Sequence, residues 1–169
     1  SAESAIAVFE NVVFENAKSY IVTANGVVGA AQTPFDLVIK EDARQAATSP
    51  DQVDIQAFHG SPGAPAVDVD ARAVGNLIEN LSYGNYSDYL SVAPDLYYLD
   101  VRIAGTPGIL ATFEADLSPL AGQSVTLFAS GFPLMDPRFG LFAALADGTV
   151  VQLPVTEVAR VQGIHNSPS

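Results

Sequence analysis

His59, Ser61 and Asp68 place an imidazole, a hydroxyl and a carboxylate within the run His59-Gly60-Ser61-Pro62-Gly63-Ala64-Pro65-Ala66-Val67-Asp68. Nucleophilic catalysis by serine needs those three groups in one hydrogen-bonded chain. The spacing does not supply it. Residues two apart at a proline turn make no nucleophile elbow, and the chain contains no G-x-S-x-G. The Ser61 hydroxyl is expected instead to cap its own turn. His59 and His165 are the 2 histidines of the chain, each just ahead of a Ser-Pro pair. Neither has the H-x-x-x-H or H-x-x-E spacing of a metal or metalloprotease site. Each imidazole is therefore expected to hydrogen-bond backbone in the turn that follows it.

Asp68 and Asp70 lie two apart on an alternating run, so both project from one face of a strand while Val67 and Val69 take the other. Such a carboxylate pair, joined by Asp88 or Asp100, is one way to hold Ca2+. The competing reading is a solvated outer face with the valines in the core. The second is favoured, because no D-x-D-x-D-G loop is present. Tyr83, Tyr86, Tyr89, Tyr97 and Tyr98 offer either a platform for surface glycans or aromatic packing across strands, with packing the default. Asn80-Leu81-Ser82 and Asn85-Tyr86-Ser87 satisfy the N-x-S acceptor pattern, which matters only in an organism that glycosylates its exported proteins.

Strands must hold these side chains. Pro62 and Pro65 fix their own φ and push their predecessors towards extended backbone. The turn motif of His59, Ser61, Pro62, Pro65 and Asp68 thus reads as a rigid delivery into a strand, Ala66–Ala71. Helical periodicity is nearly absent, while period-two alternation recurs. From Leu96 to Ala104, Tyr97, Leu99, Val101 and Ile103 face one way and Tyr98, Asp100 and Arg102 the other. Val53, Ile55 and Ala57 alternate likewise with Asp54, Gln56 and Phe58. Further strands are expected at Tyr86–Val92, Ile109–Asp116, Ser124–Gly131, Leu141–Ala146 and Val150–Val155. Asp147-Gly148 predicts a two-residue hairpin turn. Short strands between such turns make an antiparallel sandwich or barrel. The expected core is Val67, Val69, Leu90, Val92, Leu99, Val101, Ile103, Phe113, Val125, Leu127 and Leu141.

Before residue 50, Ser19–Asn25 and Phe35–Lys40 read as strands, and Glu41–Ser49 as a helical turn or linker. This first part overlays the last. Phe9-Glu10 matches Phe113-Glu114 and Phe35 and Leu37 match Phe139 and Leu141, displacements of 104 residues. Gly26 matches Gly131 at 105, and His59, Ser61 and Pro62 match His165, Ser167 and Pro168 at 106. The chain reads as about 1.6 copies of a unit of about 105 residues, cut out of phase.

Composition closes off several classes. With 7 Lys and Arg against 19 Asp and Glu, the net charge of −12 repels phosphate backbones and anionic lipid, so no nucleic-acid partner is expected. There are no cysteines, which excludes disulfides and thiolate chemistry. Hydrophobic residues make up 49% and charged ones 15%, so disorder is not expected. No run of about 18 apolar residues exists, so no membrane insertion is expected. Ser1-Ala2-Glu3 reads as a mature or cut N-terminus rather than a signal peptide.

From His59 onward the chain resembles the domain-of-unknown-function 4397 family of bacterial and archaeal surface proteins. The residues that carry the likeness are His59-x-Ser61-Pro62-x-x-Pro65-Ala66-Val67-Asp68-Val69, Asn80-Leu81-Ser82-Tyr83-Gly84, Tyr89-Leu90-Ser91-Val92 and Val101-Arg102-x-Ala104-Gly105-Thr106, with Gln123–Gly131 matching the family's last strands. The resemblance implies an immunoglobulin-like antiparallel β-sandwich in exported, often tandem-repeat, envelope or adhesin-like proteins, with no catalytic residues assigned. Members commonly have Asp where Gly63 stands and an aromatic where Asp70 stands. The expected organisation is the C-terminal half of a first sandwich over 1–50, a complete sandwich over 51–155, and the first strand of a following or donated repeat over 156–169. In the simplest case the N-terminal half packs on Gln52–Phe58 and Ala66–Ala71 of its own chain. Val158, Arg160, Val161, Ile164 and His165 are the expected assembly strand, added to the next molecule head to tail. The function expected is a non-enzymatic structural or adhesive module, extracellular or on the cell surface. The alternative is a ligand-binding module for carbohydrate or Ca2+.

Overall fold

Alternating apolar residues give most strands one face to bury, and the turns between them set eleven strands among the residues that a computed structural model describes, 8–157 apart from residue 11. The expected assembly strand, Val158, Arg160, Val161, Ile164 and His165, lies outside them. β1 (Tyr20–Asn25) and β2 (Asp36–Glu41) form a hairpin of their own. A five-stranded sheet takes the order β11 (Val150–Gln152), β10 (Gly140–Leu145), β9 (Ser124–Ser130), β3 (Val53–His59), β6 (Leu90–Val92). A four-stranded sheet takes the order β5 (Gly75–Leu81), β4 (Val67–Ala71), β7 (Leu96–Ile103), β8 (Ile109–Asp116). The chain is an all-β sandwich. Ile55, Val125, Leu127 and Leu141 of one sheet meet Val69, Leu99, Val101 and Phe113 of the other in one buried cluster. The single helix among the described residues is a three-residue turn, Ser118–Leu120, so no helix there is long and apolar enough to cross a membrane.

Several local expectations change, and one strand, β5, has no counterpart among them. The sandwich is not antiparallel throughout, since β3 runs parallel to β9 from Asp54↔Ser124 to His59↔Ala129. Tyr86–Val92 is not one strand: the Ser87 hydroxyl accepts the Ala57 N–H at 2.8 Å, a side chain standing in for the ladder, and regular pairing begins only at Leu90. β5 is a strand without clean alternation. Its register on β4 shifts on both sides of Val69, which lets the adjacent Leu77 and Ile78 both turn towards the core. The Asp147-Gly148 hairpin has a three-residue loop, with Leu145 N–H donating to Thr149 O and Gly148 at φ 89°. Leu90 and Ile103, expected in the core, are exposed: Leu90 opens the edge strand β6 and Ile103 closes β7.

Among the described residues, the N-terminal part contacts the outer face of the five-stranded sheet and the 82–89 loop, not β4 in the other sheet. The Thr23 and Tyr86 hydroxyls share a hydrogen bond of 2.5 Å, and the Asn25 side chain lies against Gly60 and Gly84. Residues 42–50 are neither helix nor free linker. They form an extended strap, with Ala47 N–H donating to Gly122 O and Ala46 bridging Gln123.

The β1–β2 hairpin repeats the geometry of β9–β10. Asn25 pairs with Asp36 and Ala24 with Leu37, as Ser130 pairs with Gly140 and Ala129 with Leu141, displacements of 105 and 104 residues. A parallel bridge follows in each, Val27↔Pro34 and Phe132↔Arg138. Both turns need glycine. Gly26 and Gly131 have φ of 95° and 83°, and a Cβ would sit 2.1 Å from Pro34 O or 2.3 Å from Arg138 O. Even the aromatic pairs recur, Phe9–Phe35 at 6.0 Å and Phe113–Phe139 at 5.8 Å.

Candidate functional site

The His59 turn is a buried lock between β3 and the end of β9. Ser61 N–H donates to His59 Nδ1 at 3.4 Å, which leaves Nε2 to carry the proton and donate to Pro65 O at 2.9 Å. Ser61 Oγ donates to Gly131 O at 2.6 Å, and Gly60 N–H to Ala129 O at 3.0 Å. His59 and Ser61 are fully buried, Pro62 is buried and Pro65 is exposed. Asp68 points to the outer face of the other sheet, so no chain of hydrogen bonds links it to Ser61. Ser61→Ala should leave the buried Gly131 carbonyl without its donor and lower stability by about 1–3 kcal/mol. Urea unfolding checks this, and an unchanged midpoint would mean the lock contributes nothing.

Asp68 and Asp70 share a face, as their spacing requires, but each is engaged by protein donors. Asp68 accepts Asn80 N–H at 2.7 Å and Gly105 N–H at 3.0 Å. These bonds hold its carboxyl below the usual range. Asp70 pairs with Arg102 and accepts from Asn76 Nδ2 at 3.0 Å. Asp100, named as a third carboxylate, lies on the same face and takes a bidentate Arg72 and the Thr112 hydroxyl. Asp88, the other named, is exposed beside the β6 edge. Among the described residues no three acidic or histidine side chains converge as metal ligands would.

The tyrosines do not gather into one platform. Tyr83 stands edge-on to His59 at 6.0 Å, and Tyr86 packs on Phe58 at 4.6 Å. Burial raises the Tyr86 phenol's pKa, against the opposing hydrogen bond from Thr23. Tyr89 lies under the Arg44 guanidinium at 4.5 Å and accepts Arg44 N–H. Tyr97 is buried and donates to Ala93 O, while Tyr98 stays half-exposed on the outer face. A groove of about 500 Å3 does run between Leu77–Leu81 and the 85–90 loop, and Tyr86 and Tyr89 border it. Both N-x-S asparagines are exposed there, though Asn85 Nδ2 donates to Tyr83 O at 3.1 Å.

Two features escaped the sequence reading. The first is Asp54, completely buried on the outer face of β3. It accepts from Arg44 Nη1 at 2.6 Å, Thr48 N–H at 2.9 Å and Ser91 Oγ at 2.5 Å. Burial opposes its charge, but these donors outweigh burial and hold its carboxyl below the usual range. The available signal was Phe58, an aromatic on the same strand face as Asp54 and Gln56. The second is a cleft of about 650 Å3 between β1 and that same outer face. Every residue from Lys18 to Ala24 borders it and no residue of β2 does, so it runs along the edge of β1 away from its partner. Phe58, Thr126, Phe128 and Ala144 form the opposite wall.

No family model, curated protein or solved structure matches the chain.

Proposed function

We propose that the chain is a non-enzymatic structural or adhesive module, extracellular or on the cell surface, that associates head to tail by strand addition. An immunoglobulin-like arrangement in tandem units is part of the same reading. One observation carries it: β1–β2 has the register of β9–β10 but, among the described residues, no strand stands beside β1 as β3 stands beside β9. An unpaired edge beside an apolar wall is what soluble proteins cover. The resemblance of the His59–Val69 run to tandem-repeat surface proteins supports the same assignment. The His59, Ser61 and Asp68 groups serve the fold in this reading, and neither cofactor nor Ca2+ is required. Light scattering and electron microscopy of the full chain over a wide range of concentration test it. Oligomers growing with concentration are expected, and a strict monomer throughout would overturn the assignment. Binding to glycans or a Ca2+-dependent rise in melting temperature, without assembly, would favour the ligand-binding alternative.

A further inference from the structure

We propose that residues 159–167 of one copy fill the cleft along β1 of the next, as a strand parallel to β1 in the register that β3 takes on β9. This rests on the assembly reading above and adds to it the acceptor edge, the direction and the register.

In the complete sandwich β3 lies parallel to β9, and the His59 turn closes over its end through Gly60 N–H to Ala129 O and Ser61 Oγ to Gly131 O. β1 stands where β9 would stand 105 residues on, and its glycine turn is the same. What β1 lacks, among the described residues, is the strand. The sequence that matches β3 is Ala159-Arg160-Val161-Gln162-Gly163-Ile164-His165, displaced by 106 residues. Carrying the β3–β9 register across puts Arg160 opposite Ser19, Gln162 opposite Ile21, and His165 opposite Ala24. Ser167 then reaches the carbonyl of Gly26, as Ser61 reaches that of Gly131.

The cleft has the shape this requires. It follows β1 from Tyr20 to Ala24, and its far wall is the half-buried apolar row of Phe128 and Ala144. Residues 158–169 carry one charged side chain, Arg160, and no acidic one, and the cations that line the cleft, Lys18 and Arg44, are already paired with Glu15 and Glu41 and with Asp54. In this register the chain's own tail falls short. Thr156 N–H is tied to Thr112 O of β8 at 2.8 Å, in the four-stranded sheet. Four residues on, Arg160 is within about 14 Å of that point. The cleft lies beyond the far face of the other sheet, and packed sheets are about 10 Å apart, so about 20 Å must be crossed. The donor therefore belongs to another copy.

The absence of cysteine makes a cross-linking test clean. Adjacent strands at about 4.8 Å spacing bring Cα atoms within disulfide range. Full-length Ile21→Cys mixed with full-length Gln162→Cys should give a disulfide-linked heterodimer under mild oxidation. The double variant should give a ladder of multimers that collapses on reduction. Ile21→Cys with Ser167→Cys, five residues out of register, should give at least tenfold less product. Assembly by light scattering without the in-register ladder would overturn this edge and register while leaving strand addition standing. An internally cross-linked monomer would overturn the copy-to-copy contact. A full chain that stays monomeric would overturn both this inference and the proposed function.

Discussion

Phe113→Ala is expected to lower the stability of the sandwich by about 4 kcal/mol, enough to threaten a domain of ordinary stability. The ring is 1% exposed, pairs across the ladder with Leu99, and meets Phe139 edge-on at 5.8 Å. Truncation removes its transfer free energy and leaves a cavity between two sheets whose strands are pinned on both sides. Val155 bridges the outer side of Phe113, and Glu114 N–H donates to Pro154 O, so β8 cannot shift inward to fill the space. Urea unfolding should show a lower midpoint with an unchanged slope. Leu110→Ala, on the same strand but 53% exposed, should shift it by less than about 0.5 kcal/mol. Equal effects at the two positions would mean that Phe113 does not face a closed core.

Asp54→Ala should destabilise by about 2–3 kcal/mol through loss of the strap rather than of the core. The carboxylate is the common acceptor for Arg44, Thr48 and Ser91, so it ties residues 44–48 to β3 and to β6 at once. Arg44 is 37% exposed and can return to water, which keeps the loss below that of a fully buried pair. The pH dependence follows from the direction of the shift. The folded carboxyl lies below its ordinary value, so its contribution is fully present above the unfolded pKa of about 3.9 and disappears as pH falls through the folded one. The wild-type chain should therefore lose stability more steeply than Asp54→Asn as pH is lowered below about 4. Parallel curves for the two would mean that Asp54 is not charged in the folded state. Proteolysis between Glu41 and Ser49 should also quicken in Asp54→Ala, because the strap loses its main anchor.

Strands were legible wherever one face is buried and the other is wet. Leu96–Ile103 and Ile109–Asp116 alternate because each packs one side on the opposing sheet, and period two is then imposed by burial alone. The Gly26 turn and its recurrence at Gly131 were legible for a related reason. A left-handed residue with a carbonyl against its Cβ position admits only glycine, so the constraint is written in residue identity. The His59–Ser61 turn could be placed, with its hydroxyl expected to cap, because proline restricts φ locally. Its actual acceptor, Gly131 O, lies seventy residues away and only the fold brings it near.

What tertiary structure decided is which faces are covered twice. Asp54, Gln56 and Phe58 alternate with the core residues of β3, and local pattern assigns them to solvent; all three are buried, Asp54 under the N-terminal strap, Phe58 against the Tyr86 ring and Gln56 with its amide on the Thr126 hydroxyl. The bulged pairing of β5 and the parallel contact of β3 with β9 likewise depend on partners distant in the chain. Alternation reports that a strand has an inside. Which strand lies beside it, and what closes over its other face, depends on long-range contacts that leave no period in the sequence.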